Sequence, residues 1–144
     1  MKKFKTTLSM KEMMKIFDNV VELCKTKYNL PICKNVSLYD RLSNSQTAIA
    51  ETLDISKGKK REYLIVFSKI FFDIYLSEEF INKYSLKTAF RNILMHELIH
   101  TISGCMNHGK KWKKYIEYMN TNFKYKMSPT PYSKKNSFTI EYPF

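Results

Sequence analysis

Residues 96–108 read His96-Glu97-Leu98-Ile99-His100-Thr101-Ile102-Ser103-Gly104-Cys105-Met106-Asn107-His108 and hold all three histidines of the chain. The first five residues are an HExxH. On a helix, positions i and i+4 stand one above the other on one face, about 6 Å apart. Two imidazoles so placed can converge on one zinc ion at roughly 2.0–2.1 Å each. Glu97 directly follows the first ligand, so its carboxylate can approach a water on that ion from the side. Metal, water and base then fall within one helical turn. The chemistry implied is hydrolysis: the metal acidifies water and polarises a carbonyl, while Glu97 takes a proton and hands it to the leaving amine.

Catalytic zinc keeps three protein ligands and an open position. His108 is the candidate for the third, because Gly104 lets the chain turn back and Gly109 allows a tight loop behind it. Two other residues compete. Cys105 could ligate as thiolate, but a fourth strong ligand would close the site and make it structural. Glu117 lies seventeen residues past His100, near the place where a carboxylate on the next helix could reach the metal.

These groups need a scaffold. Ser9 to Tyr28 reads as a helix: Ser9-x-x-Glu12 is a capping box, and Met10, Met13, Met14, Phe17, Val20, Val21 and Cys24 form a helical stripe. Asn29-Leu30-Pro31 ends it. Val36 to Leu42 and Gln46 to Ile55 read as strands, followed by a hairpin-like turn over residues 56–60. Tyr63-Leu64-Ile65-Val66-Phe67 is an unbroken apolar run, as in a strand buried on both faces. Residues 70–84 are ambiguous, with a helix start at Ser77-Glu78-Glu79. Ser85 to Ser103 reads as the helix that carries HExxH, with Ala89, Phe90, Ile93, Leu94, Leu98 and Ile102 as its apolar stripe. Gly104 is its expected cap. Gly109 to Asn122 reads as a last helix that buries Trp112, Tyr115, Ile116 and Met119. The fold expected is α+β: an N-terminal helix on a small, mainly antiparallel sheet of about three strands, then the HExxH helix and a further C-terminal helix. One domain is expected over residues 1–126. Residues 127–144 read as an extended tail, packed on the domain or flexible.

Length and composition agree with a single globular domain: 144 residues, 44% hydrophobic and 15% aromatic. No apolar run approaches the roughly 18 residues that cross a bilayer. Lys11, Glu12, Lys15 and Asp18 interrupt any signal-peptide core after the basic N-terminus. Three cysteines without a CxxC pair suggest no disulfide framework, which favours a reducing, cytoplasmic setting. The net charge of +12 attracts polyanions. Lys57, Lys59, Lys60 and Arg61 form one basic cluster; Lys110, Lys111, Lys113 and Lys114 form another. Both are candidates for sequence-independent contacts to DNA, although a lysine-rich surface also serves simple solvation.

His96-Glu97-Leu98-Ile99-His100-Thr101, followed by His108-Gly109-Lys110-Lys111-Trp112, resembles the SprT-like metallopeptidases. Those proteins carry HExxH, a variable spacer, and a His-Gly-x-x-aromatic element that opens the next helix. The resemblance implies a zincin-like fold over most of residues 8–126. It also implies Zn2+ held by His96, His100 and His108, Glu97 as the catalytic residue, and a protein or peptide substrate. Spartan-type members degrade proteins crosslinked to DNA, which would place this chain near the nucleoid. Two features depart from the family: no paired CxxC ribbon follows Cys105, and Arg41-Leu42-Ser43-Asn44-Ser45-Gln46 is a poor version of its Arg-rich β-turn. The alternatives are a repressor-cleaving protease of the ImmA/IrrE type and a non-catalytic DNA-binding module stabilised by zinc.

Overall fold

Ser9 starts the first helix as its spacing predicts: its hydroxyl accepts the Glu12 N–H, and the Glu12 carboxylate accepts the Ser9 N–H, both at 3.1 Å. The computed structural model describes residues 8–40, 50–67 and 86–128. Its elements are α1 (Met10–Thr26), β1 (Val36–Asp40), β2 (Ala50–Asp54), β3 (Tyr63–Phe67), α2 (Leu86–Ile99) and α3 (Lys110–Phe123). The expected reading of residues 70–84, the Arg41–Gln46 turn and all but the first two residues of the 127–144 tail lie outside the described residues. Among the described residues, no helix is long and apolar enough to cross a membrane.

α1 buries Met13, Phe17, Val20 and Cys24, one side of its apolar stripe, and leaves Met14 on the surface. It ends at Thr26, short of the expected Tyr28, and three residues on Asn29 takes a left-handed φ of 55°, a conformation asparagine tolerates. The fold is α+β, and its three strands stand in the order β1-β3-β2. β3 is central, which is why its five residues are apolar throughout. The sheet is mixed: β2 runs antiparallel to β3, while β1 runs parallel to it. A tight turn joins β2 to β3, closed by reciprocal 3.0 Å bonds between Lys57 and Lys60. Gly58, at φ 59°, supplies the positive φ that the first position of such a turn requires.

α2 differs from the amphipathic helix expected. Every residue from Asn92 to Ile102 is buried, so the chain here has no solvent face. β2 and α1 pack against α2, and α3 closes beyond its end. A helix buried all round must satisfy its polar side chains internally. Asn92 does so by donating to the Thr88 carbonyl (2.7 Å) and accepting the Lys126 N–H (2.6 Å). Thr101 donates to the Leu98 carbonyl at 2.7 Å and accepts the Cys33 N–H at 3.0 Å.

The α-helix also stops sooner than Ser103. From His100 onward the backbone bonds run i to i+3: His100 to Glu97, Thr101 to Leu98 and Ile102 to Ile99, at 3.0–3.1 Å. Gly104, at φ 84°, reverses the chain, and Lys111 lies over it with Nζ donating to the Ser103 carbonyl. α3 then starts at Gly109, where a Cβ would stand 2.9 Å from Asn107 Oδ1. Trp112, Ile116 and Met119 form its buried side.

Candidate metal centre

His96 comes from the last α-helical turn of α2, His100 from the tightened turn behind it, and His108 from the loop that enters α3. Their ring centroids are 5.1 Å apart for His96–His100, 5.4 Å for His96–His108 and 4.7 Å for His100–His108. One nitrogen from each ring lies within 4.8 Å of the others. A tetrahedral zinc ion needs such nitrogens about 3.4 Å apart, within reach of small ring adjustments.

The donor set suits a metal. His100 Nδ1 lies 2.8 Å from the Cys105 carbonyl, an acceptor only, so Nδ1 carries the proton and Nε2 keeps its lone pair. His108 Nε2 is buried with no hydrogen-bond partner among the described residues. Burial also keeps the rings neutral, the form that ligates. It holds His96 well below the usual histidine range, with the neighbouring His100 and His108 adding to the effect. It brings His100 down to about 4 against the opposing pull of the Cys105 carbonyl, and it lowers His108 with help from Lys113. Cys105 and Glu117 stand outside the triad: Cys105 contributes its backbone carbonyl while its thiol is raised by burial, and Glu117 is on the exposed side of α3.

Glu97 is 3% exposed, and its two carboxylate oxygens have different surroundings. Oε2 lies 3.7 Å from His96 Nε2, and Oε1 accepts from the Thr52 hydroxyl at 2.8 Å. Burial pushes the carboxyl up to about 7; the Thr52 bond opposes this, and the Glu51 charge adds to it. Thr52 went unremarked in the sequence. The only signal was a polar residue at an inward position of an otherwise alternating strand.

Trp112 forms the floor. It is fully buried, with its ring centroid 5.0 Å from His96, 5.7 Å from His100 and 4.6 Å from His108. Its plane lies 15° from that of His100. This explains an aromatic residue four positions after His108: one turn into α3, it covers the triad from below.

The eight basic candidates divide. Lys57, Lys59 and Lys60 project from the β2–β3 turn, and Lys110, Lys113 and Lys114 from the start of α3, all exposed. Arg61 and Lys111 are committed to the fold. The Arg61 guanidinium donates to the Thr101 carbonyl and the Tyr63 hydroxyl, and Lys111 donates to Ser103, so both clamp the chain leaving α2.

Compared with known sequences, residues 15–134 match the family model described as SprT-like family. None of the curated proteins and none of the solved structures compared with the chain matches it.

Proposed function

The chain belongs to the SprT-like family, and from that premise we propose that it is a zinc-dependent metallopeptidase. One observation carries the reading: a buried carboxylate, Glu97, stands beside three neutral imidazoles that offer one nitrogen each to a common point. Zinc, when bound there, supplies a Lewis acid that polarises a carbonyl and brings the pKa of water from 15.7 to about 7. The protein supplies the rest. His96, His100 and His108 hold the ion as neutral donors. Glu97 Oε2 accepts a proton from the attacking water and delivers it to the departing amide nitrogen, so that water adds across the C–N bond. The buried Trp112 floor and the buried wall of α2 surround the site with apolar groups, which strengthens the electrostatic interactions within it.

The test is zinc content and cleavage of a fluorescent casein by the wild type, Glu97→Gln and His108→Ala. Full zinc with no cleavage in Glu97→Gln, and loss of both in His108→Ala, support the reading. Undiminished cleavage in Glu97→Gln overturns it.

Action near DNA is the second part of the proposal. A groove of about 530 Å³ on α3, lined by Asn29, Lys111, Lys114, Tyr115 and Tyr118, sets the exposed Lys114 cation beside aromatic faces, the pairing that suits a nucleic-acid strand. Binding to DNA should weaken steeply between about 50 and 200 mM salt. No binding at low salt removes this part and leaves the peptidase reading intact.

A further inference from the structure

Glu97 has two carboxylate oxygens with different surroundings. Oε1 is gripped by Thr52 Oγ1 at 2.8 Å, and Oε2 lies on the side of His96 Nε2 at 3.7 Å. The grip comes from another element, forty-five residues earlier in the chain. Thr52 is in the middle of β2, paired with Ile65 of β3, and is 8% exposed. Packing alone would be met there by valine, which has the same shape. The hydroxyl must therefore be accounted for by what it bonds.

It has two acceptors within reach, Glu97 Oε1 at 2.8 Å and the Glu97 main-chain carbonyl at 3.0 Å, and one proton to give. The carbonyl already accepts the His100 N–H at 3.1 Å. The carboxylate is nearer and is the stronger acceptor when ionised. The proton goes to Oε1. Without it, rotation about the terminal side-chain bonds would no longer be restrained, because that torsion is intrinsically broad for glutamate.

On the peptidase reading above, we infer that Thr52 is a positioning residue: by holding Oε1 it turns Oε2 toward the metal centre. Its hydroxyl bonds Glu97 alone among the described residues, so it acts through Glu97. It links the edge of the sheet to the reacting group, so the strand and the base move as one piece.

The experiment compares zinc-loaded wild type, Thr52→Val and Thr52→Ser. Crystal structures give a readout independent of activity. The Glu97 carboxylate should leave its place in Thr52→Val and keep it in Thr52→Ser, whose hydroxyl is retained. An unmoved carboxylate in Thr52→Val overturns the inference. Kinetics on fluorescent casein give the second readout: kcat should fall about 10- to 100-fold in Thr52→Val, the loss expected of a misplaced catalytic group. KM and zinc affinity, measured by chelator competition, should stay at wild-type values, and Thr52→Ser should recover most of kcat. A wild-type kcat in Thr52→Val, or a loss traced wholly to zinc affinity, overturns it. An inactive wild type would count against the peptidase reading alone, and the crystal structures would still decide the role of Thr52.

Discussion

The ring of His100 donates its Nδ1–H to the backbone carbonyl of Cys105, 2.8 Å away. A main-chain acceptor cannot be lost by changing a side chain, so the tautomer that exposes Nε2 is built into the path of the loop. That path depends on Gly104.

Gly104→Ala should therefore weaken the site without touching a ligand. At φ 84° an alanine is strained by about 1–2 kcal/mol, and its Cβ would meet the Lys111 side chain at 3.3 Å. Relief of the strain moves the Cys105 carbonyl. The expected result is a lower melting temperature and a zinc affinity reduced about tenfold, the usual effect of losing a ligand's supporting bond. Chelator competition and thermal unfolding measure the two effects separately.

Trp112 is the chain's one tryptophan and touches all three rings of the triad. Its fluorescence should report occupancy of the site. Titrating Co2+ into metal-stripped protein should quench the emission and saturate at one ion per chain, with Zn2+ competing the quencher away. In His108→Ala the titration should be flat at the same concentrations. Unchanged quenching in that variant would place the ion elsewhere.

Arg61 offers a test of clamp against surface charge. Its bonds to the Thr101 carbonyl and Tyr63 hydroxyl are partly buried, and the exposure of Arg61 itself limits their worth to about 1 kcal/mol. Arg61→Ala should lower the unfolding free energy by that amount in denaturant titration, while Lys59→Ala, whose side chain projects from the turn, should leave it unchanged. Equal stability of the two variants would remove the clamp.

The cysteines are free and buried, and burial pushes the Cys24 thiol up to about 12. Thiolate is the reactive form, and at pH 8 roughly one Cys24 in ten thousand carries it. Raising the pH raises that fraction, but useful reactivity stays above the range in which the fold is handled. Iodoacetamide at pH 8 should leave Cys24 of the native protein unmodified and alkylate it only after denaturation. Rapid labelling of Cys24 in the folded chain would contradict the burial.

The clustering of His96, His100 and His108 was legible in the sequence because helical geometry ties such spacing to one face. The Ser9 cap, the burial of β3 and the turn around Gly58 were legible for the same local reason. Other features depend on distant partners. Nothing near Thr52 announces Glu97, and nothing near Arg61 announces the Thr101 carbonyl. The direction of β1 was equally hidden, since parallel and antiparallel pairing leave the same alternation in a short edge strand. The periodicity of α2 marked one apolar stripe, but its remaining faces are covered by β2, α3 and the segment after α3, whose contributions appear only when the chain is assembled.

The burial of residues 92–102 on every side has a bearing on how this protein can change over evolutionary time. A helix with no outward face tolerates mainly swaps that conserve volume and polarity. Freer change is left to the rim, through β2, the exposed side of α3 and the connecting loops. The central helix should then change more slowly than the rim around it.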